Sequence, residues 1–513
     1  MFKLTTPTFI GLFGLISFQS FAQAPDWQHL DLQQDHVFGI STDKAYRELL
    51  KGKKAKPVVV AILDSGTDTS HRDLSSVLWN NPREKPANGR DDDHNGHIDD
   101  THGWSFIGGA KGDVQYDNLE LTRLIRRGDG KQRPELQTDF DNQRSQAQAT
   151  VAGITRFRDV LDTIVHHINK QVPTLEDFRA YQPEGAAQAH VKSILLQQLQ
   201  EGTYNNFRKQ QLEEGLAHFR EQADYQLNPE FDPRPVVGDD YNNSAETNYG
   251  NRNVFGPSAL HGTHVAGIVG ARRSDTSKVR GIADHVRLMI VRAVPDGDER
   301  DKDIANGIRY AADNGAKVIN MSFGKPYSWD KPAVDAAAKY ALSKDVLLIQ
   351  AAGNSGENID STANFPTRVF ADGSGTAGAW IVVGASGWQD DEHLAASFSN
   401  YGKTAVDVFA PGEQILSTVP GNAYVRENGT SMAAPVVTGL AALIREYYPK
   451  LSAMQVKEII LQSVSKVSHH VTINKNGQPV SVPFSDLCRT GGIVNAYEAL
   501  RLAETYTKEK KST

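Results

Sequence analysis

Val58-Val59-Val60-Ala61-Ile62-Leu63-Asp64-Ser65-Gly66 is the stretch on which the fold turns. Six apolar residues, most of them β-branched, run together with no polar alternation. Such a run predicts a strand buried on both faces, as in a parallel sheet. A carboxylate follows at once, then Ser and Gly. In open α/β sheets, function gathers where strands reach their carboxyl ends. Asp64 is therefore expected at that edge, although a turn-capping aspartate would look the same.

Four further runs have the same character: Arg287–Val294, Val318–Phe323, Val346–Ala351 and Trp380–Ala385. Helical patterns lie between them, at Asp303–Ala312 and Lys331–Leu342. The alternation predicts an α/β domain, doubly wound, with a mostly parallel sheet and helices on both faces. One segment breaks the rhythm. From about Gly112 to Asp240 no strand pattern appears. Ile154, Phe157, Leu161, Ile164 and Ile168 form one apolar helix face, as do Val191, Ile194, Leu195 and Leu199, then Leu212, Leu216 and Phe219. This predicts a large α-helical insertion of roughly three to five helices at 113–240, packed as a helical hairpin core rather than an intermolecular coiled coil. The domain would then occupy 58–112 and 241–500, with a short extension at 23–57 and a charged tail at 501–513.

Composition narrows the function. Among 513 residues there is one cysteine, Cys488, which excludes an intramolecular disulfide framework and a cysteine-based zinc finger. A net charge of −7 argues against a nucleic-acid partner, which would want a basic face. Met1–Ala22 carries Lys3, a short apolar stretch and a small residue at its end, the pattern of a signal peptide at 1–22. The apolar stretch is too short to span a membrane, so no membrane anchor is expected. Export to a bacterial periplasm or the exterior is expected, since an exported chain without disulfides fits there. Oligomeric state is left open.

Two motifs join Asp64. His261-Gly262-Thr263-His264-Val265-Ala266-Gly267 reads as a helix rich in small residues that packs close to the sheet, with a His at its start. Asn428-Gly429-Thr430-Ser431-Met432-Ala433-Ala434-Pro435 reads as a sharp turn entering a helix. There Pro435 suits the first turn, and Ser431 meets the positive end of the helix dipole. Each is ambiguous alone; Ser431 could simply cap a helix. Together they supply Asp, His and Ser, in that order. A serine hydroxyl needs a base, and the base needs a carboxylate to orient it.

These three motifs resemble the signatures of the subtilisin-like serine proteases (subtilases). The resemblance covers about 58–110 and 249–500. It implies a serine endopeptidase acting on protein or peptide substrates, with Asp64, His261 and Ser431 as the triad and no cofactor required for catalysis. His264 would be structural. Ala351-Ala352-Gly353-Asn354-Ser355-Gly356 matches the family's oxyanion segment, which makes Asn354 a donor together with the Ser431 N–H. The resemblance further implies that Ser322, Phe323 and Gly324 pair with an extended substrate, and that Ala351, Ala352 and Gly353 wall the specificity pocket. A triad-bearing scaffold gated by the insertion, or an amidase or esterase acting on non-protein substrates, are the alternative readings.

Asp91, Asp93, Asn95 and Asp99 follow the spacing of an EF-hand-type loop with Gly96 at its sixth position, but His102 stands where a Glu is expected. The loop is a candidate for structural Ca²⁺, a cation that subtilases commonly bind. The chain departs from compact family members in two ways: 197 positions separate Asp64 from His261, and 23–57 is too short for a folding propeptide domain.

Overall fold

The strand Val58–Asp64 lies inside a nine-stranded sheet among the described residues. The computed structural model describes residues 24–512 apart from 201, 275, 276 and 476, so the expected signal peptide lies outside them. Across the sheet the strands are ordered Ser465–Lys466, Gly492–Ile493, Val408–Pro411, Trp380–Ser386, Leu347–Ala351, Val318–Met321, Val58–Asp64, Val286–Arg292 and Gly103–Ser105. Neighbours are parallel except Ser465–Lys466 against Gly492–Ile493. The chain steps from Val58–Asp64 out to one edge, returns, and then advances towards the other. Val58–Asp64 is thus where the winding reverses, and the crevice beside such a strand is where ligands bind.

Side-chain alternation explains why the strands read as unbroken apolar runs. Val60 and Ile62 face one layer of helices, Leu260–Gly270 and Thr430–Tyr447 among them. Ala61 and Leu63 face the other, which includes Asp301–Asp313 and Lys331–Ser343. With both faces covered, neither parity of position can be polar.

The insertion is helical as expected, with the long helix Pro134–Ile168 at its centre. Leu161, Ile164, Val191, Leu195, Leu199 and Leu212 form its own small core, which agrees with the hairpin reading. A second cluster joins it to the domain: Leu121, Leu124, Leu136 and Phe140 pack with Tyr327 and Trp329. Residues 24–57 are no separate appendage. Trp27 and Ile40 are fully buried in the main core, and the Ala496 N–H donates to Ile40 O at 2.7 Å. Among the described residues no helix is long and apolar enough to cross a membrane.

Candidate active site

Asp64 is the last residue of its strand and 2% exposed. Its Oδ1 accepts the Ser65 N–H at 2.8 Å, which fixes the carboxylate. His261 is the second residue of the helix Leu260–Gly270. That helix meets the strand end because Gly262 has no side chain; a Cβ there would lie 2.1 Å from Gly66 O and 3.2 Å from Asp64 Cβ. The close approach sets His261 Nδ1 2.7 Å from Asp64 Oδ1. A carboxylate at that distance makes Nδ1 the protonated nitrogen and leaves Nε2 as the free base. The imidazole is 40% exposed, so its outer edge faces the cleft. Desolvation pulls its pKa down, but the charge and hydrogen bond of Asp64, with a smaller push from Glu427, more than offset this. The net pKa stands above the ordinary histidine value. His264 points inward: its Nε2 lies 3.2 Å from Val425 O, and burial drives its pKa to about 4.

Ser431 is the second residue of the helix Thr430–Tyr447. Pro435 is the sixth residue, in the second turn rather than the first as the sequence suggested. The displacement has a consequence. Pro435 has no N–H to give the Ser431 carbonyl four residues back. That carbonyl accepts the Ser322 hydroxyl instead, at 2.9 Å. In return Ser431 Oγ donates to Ser322 O at 3.1 Å, and no hydrogen bond joins it to His261. Such bonds are often long or unformed without substrate. Asn320 Nδ2 holds Ser322 Oγ at 2.9 Å, and Thr438 Oγ1 donates to Asn320 Oδ1 at 2.8 Å. The nucleophile helix is thereby tied to the end of the strand Val318–Met321.

Asn354 follows the strand Leu347–Ala351. Its Oδ1 accepts both the N–H and the hydroxyl of Thr430, at 2.8 and 2.9 Å. That orientation leaves Nδ2 free to point the other way. A Cβ built on Gly429 would stand 3.4 Å from Asn354 Nδ2 and 3.5 Å from Ser431 N. Two donors therefore flank one small space beside Ser431, which only a glycine leaves open. Converging donors of this kind suit a developing oxyanion.

The other expected contact residues lie at or just past the carboxyl ends of the strands Val318–Met321 and Leu347–Ala351. Asn364 lies between two of them: its Nδ2 donates to Ala352 O at 2.9 Å, and its Oδ1 would meet a Cβ on Gly324 at 2.6 Å. Ser322, Phe323, Ala351 and Ala352 are buried, Gly353 is half-buried and Gly324 is exposed. Lys325, next in the chain, turns away from the cleft into the base of the insertion. Its Nζ reaches Glu120 Oε2 at 2.6 Å, Glu299 O at 2.6 Å and Asp301 Oδ1 at 2.8 Å. Burial would raise the Glu120 pKa, but Arg123 and Lys325 hold it at about 2.

The acidic loop is held by a network of its own hydrogen bonds. Asp91 accepts the N–H groups of Asn95 and Gly96, and Asn95 Oδ1 accepts that of His97. Asp99 accepts the N–H groups of Asn88 and Gly89 and pairs with Arg252. Backbone N–H groups and Arg252 thus engage oxygens of Asp91, Asn95 and Asp99, with an Asx turn at Asn95. Of the four residues, Asp93 alone joins an acidic group, with Glu84 and Asp100. The sequence reading also missed Thr430 as the residue that orients Asn354, Glu427 beside His261, and Glu120 behind Lys325. Thr430 adjoins the nucleophile and was within reach; nothing local marks the other two.

A sheet with this winding, with Asp64, His261, Ser431 and Asn354 at one edge, defines a class that the comparisons make definite. The family model described as "Subtilase family" matches residues 55–481, and the chain belongs to that family. It is 37% identical over 259 residues to "Thermophilic serine proteinase" of Bacillus sp. (strain AK1), covering 50% of this chain and 57% of that protein. It is 40% identical over 199 residues to "Subtilisin DY" of Bacillus licheniformis, covering 38% of this chain and 67% of that protein. The match to the first relative thus spans little more than half of its length. A solved protease domain of PatA is 29% identical with a TM-score of 0.38, covering 48% of this chain and 82% of that one, an overlap too low to bear on the fold.

Proposed function

We propose that this protein is an exported serine endopeptidase that cleaves protein or peptide substrates through an acyl-enzyme on Ser431. The observation that carries this reading is the His261–Asp64 pair at 2.7 Å, and the two donors Asn354 Nδ2 and Ser431 N that converge on one point at Gly429 support it. Ser431 Oγ leaves Ser322 O and gives its proton to His261 Nε2 while bonding to the substrate carbonyl carbon. Asn354 Nδ2 and Ser431 N–H hold the oxygen that becomes negative. His261 passes the proton to the departing amine as the C–N bond breaks. Water, deprotonated by His261, then releases the acid and restores Ser431. No cofactor enters these steps. The signal-peptide-like pattern at 1–22 supports the exported location.

Covalent labelling by a fluorophosphonate, with casein hydrolysis in parallel, tests the assignment. Both are expected in the wild type and neither in Ser431→Ala. Labelling that persists in Ser431→Ala would remove Ser431 as the nucleophile. Asn354→Ala is expected to lower kcat by roughly 10²–10³ with little change in KM, a range taken from subtilisin, a member of this family. An unchanged kcat would mean that Asn354 does not meet the oxyanion.

The insertion acts in this reading as a brace behind the substrate segment, because Glu120 anchors the residue that follows Gly324. Glu120→Gln removes one carboxylate from both Lys325 and Arg123, while Asp301 stays 2.8 Å from Lys325. The loss should stay below the roughly 3–5 kcal/mol of a buried charge left uncompensated. Urea unfolding measures that loss. Turnover of an extended peptide should fall further than that of a small ester, and equal losses on both would count against the brace.

A further inference from the structure

Val58–Asp64 lies between Val286–Arg292 and Val318–Met321 in the sheet, so the segments leaving those two neighbours wall the crevice at its end. The Ala293 N–H donates to Asp64 O at 3.0 Å, and Ser322 O accepts the Ser431 hydroxyl, so both walls start at the triad. On the first wall, the Asp296 N–H donates to Gln115 O at 2.7 Å, the Asp117 N–H to Asp296 O at 3.1 Å and the Asp298 N–H to Asn118 O at 3.3 Å. Asp296 and Asp298 thus face the start of the insertion. In extended chain the backbone polar groups of successive residues point to opposite edges, so Gly297 and Glu299 face the crevice. On the second wall, Lys325 and Phe365 exchange backbone hydrogen bonds at 3.0 and 2.7 Å, which turns Ser322 and Gly324 to the crevice. An extended substrate fits between them by alternation. Its first residue before the scissile bond meets Ser322 and its third meets Gly324, while the second and fourth turn to Gly297 and Glu299.

Past Gly324 the walls are joined. Lys325 Nζ crosses to Glu299 O at 2.6 Å, and Arg123 Nη2, from the insertion, donates to the same oxygen at 3.2 Å. A carbonyl oxygen has two lone pairs, and these two donors take both. Lys325, Glu299 and Arg123 are 2%, 3% and 1% exposed, so the far end of the crevice is filled. Glu120 Oε2 accepts from Lys325 Nζ at 2.6 Å and from Arg123 Nη2 at 2.8 Å, which fixes this plug. The second wall stops at the same point: the next residue in register after Gly324 is Pro326, which has no N–H. We propose, on the protease reading above, that the substrate cleft takes three residues on the acyl side of the scissile bond, and that Lys325 and Arg123 close it to a fourth. The preferred substrates are then short peptides and exposed chain ends. A longer extended stretch drives its fourth residue against buried charges and finds no acceptor for that residue's N–H. The insertion, through Arg123 and Glu120, sets the limit.

The test is kcat/KM on acetyl-capped peptide p-nitroanilides of two, three and four residues, with the same residue at the cleaved bond throughout. Going from two to three should raise kcat/KM roughly tenfold, since the third residue adds two backbone hydrogen bonds to Gly324. Going from three to four should bring no rise. A rise beyond about twofold at the fourth residue, the worth of the weakest backbone hydrogen bond, or no rise at the third, would overturn the limit. Hydrolysis that survives in Ser431→Ala would instead fault the protease reading, so the two failures are told apart. Glu120→Gln combined with Lys325→Ala removes one charge of each sign and frees one lone pair of Glu299 O. In that variant the fourth residue should gain roughly fivefold. The ratio of the four- to the three-residue rate does not depend on the fraction of enzyme folded, so lost stability does not imitate the gain. A folded double variant without the gain would mean that Lys325 does not close the cleft. If the double variant does not fold, the wild-type series decides by itself.

Discussion

Ser431→Ala is expected to lower kcat on a peptide substrate by roughly 10⁶, with KM little changed. That is the magnitude found in subtilisin, a member of the family. The physical ground is that no neighbouring group replaces the hydroxyl. The residue sits at the helix start with its Oγ on Ser322 O, and the adjoining donors belong to Asn354 and the backbone. Those donors survive the substitution, so a residual rate of roughly 10³–10⁴ over water should remain. Because nucleophile and base act as one unit, Ser431→Ala combined with His261→Ala should be no slower than either alone. Steady-state kinetics beside circular dichroism checks this. The fold should persist, since the lost hydrogen bond is worth about 1 kcal/mol. A further thousandfold drop in the double variant, or a Ser431→Ala rate within tenfold of wild type, would defeat the assignment.

Asp64→Asn is expected to cost roughly 10⁴ in kcat, the order found where this carboxylate has been neutralised in serine proteases. Asp64 Oδ1 accepts from His261 Nδ1, whereas an amide nitrogen in its place would force Nδ1 to accept. The proton would then sit on Nε2, where the base is needed. The pH dependence should move as well. His261 must be neutral to act, so wild-type activity is lost as pH falls through a pKa raised above 6.5. Without the carboxylate, desolvation acts with little opposition, and the acid limb of the residual activity should shift to lower pH. A kcat/KM profile from about pH 5 to 10 reads this, and an unmoved limb would mean that Asp64 does not set the His261 pKa.

The central strands were legible because burial on both faces leaves a continuous apolar signature. Their ends drifted by a residue or two, as at Val318–Met321 against the expected Val318–Phe323, since backbone pairing rather than composition ends a strand. The helical insertion was legible for the opposite reason: its 3.6-residue periodicity stands out once the β runs stop. Pro435 was placed a turn too early. Proline is usual in a first turn, and here the Ser322 hydroxyl compensates for the N–H missing in the second. The acidic loop is ambiguous in sequence. Asp and Asn at alternate positions serve Asx turns as readily as cations, and spacing alone does not separate the two. Glu84 and Asp100 lie outside the repeating pattern and join Asp93 only when the loop closes.

By itself the sequence determined the doubly wound sheet and the helical character of the insertion, and it singled out Asp64, His261, Ser431 and Asn354 as the candidate site. Each of these is written in local pattern, in a run or a motif of a few residues. The tertiary structure alone decided what joins them: Gly262 admitting the helix to the strand end, Thr430 turning Asn354, Ser322 holding Ser431, and Glu120 reaching Lys325 across 205 positions. These are contacts between chemically ordinary residues far apart in the chain. A buried hydrogen bond or ion pair depends on where two side chains meet, and that meeting is set by the packing of the whole domain.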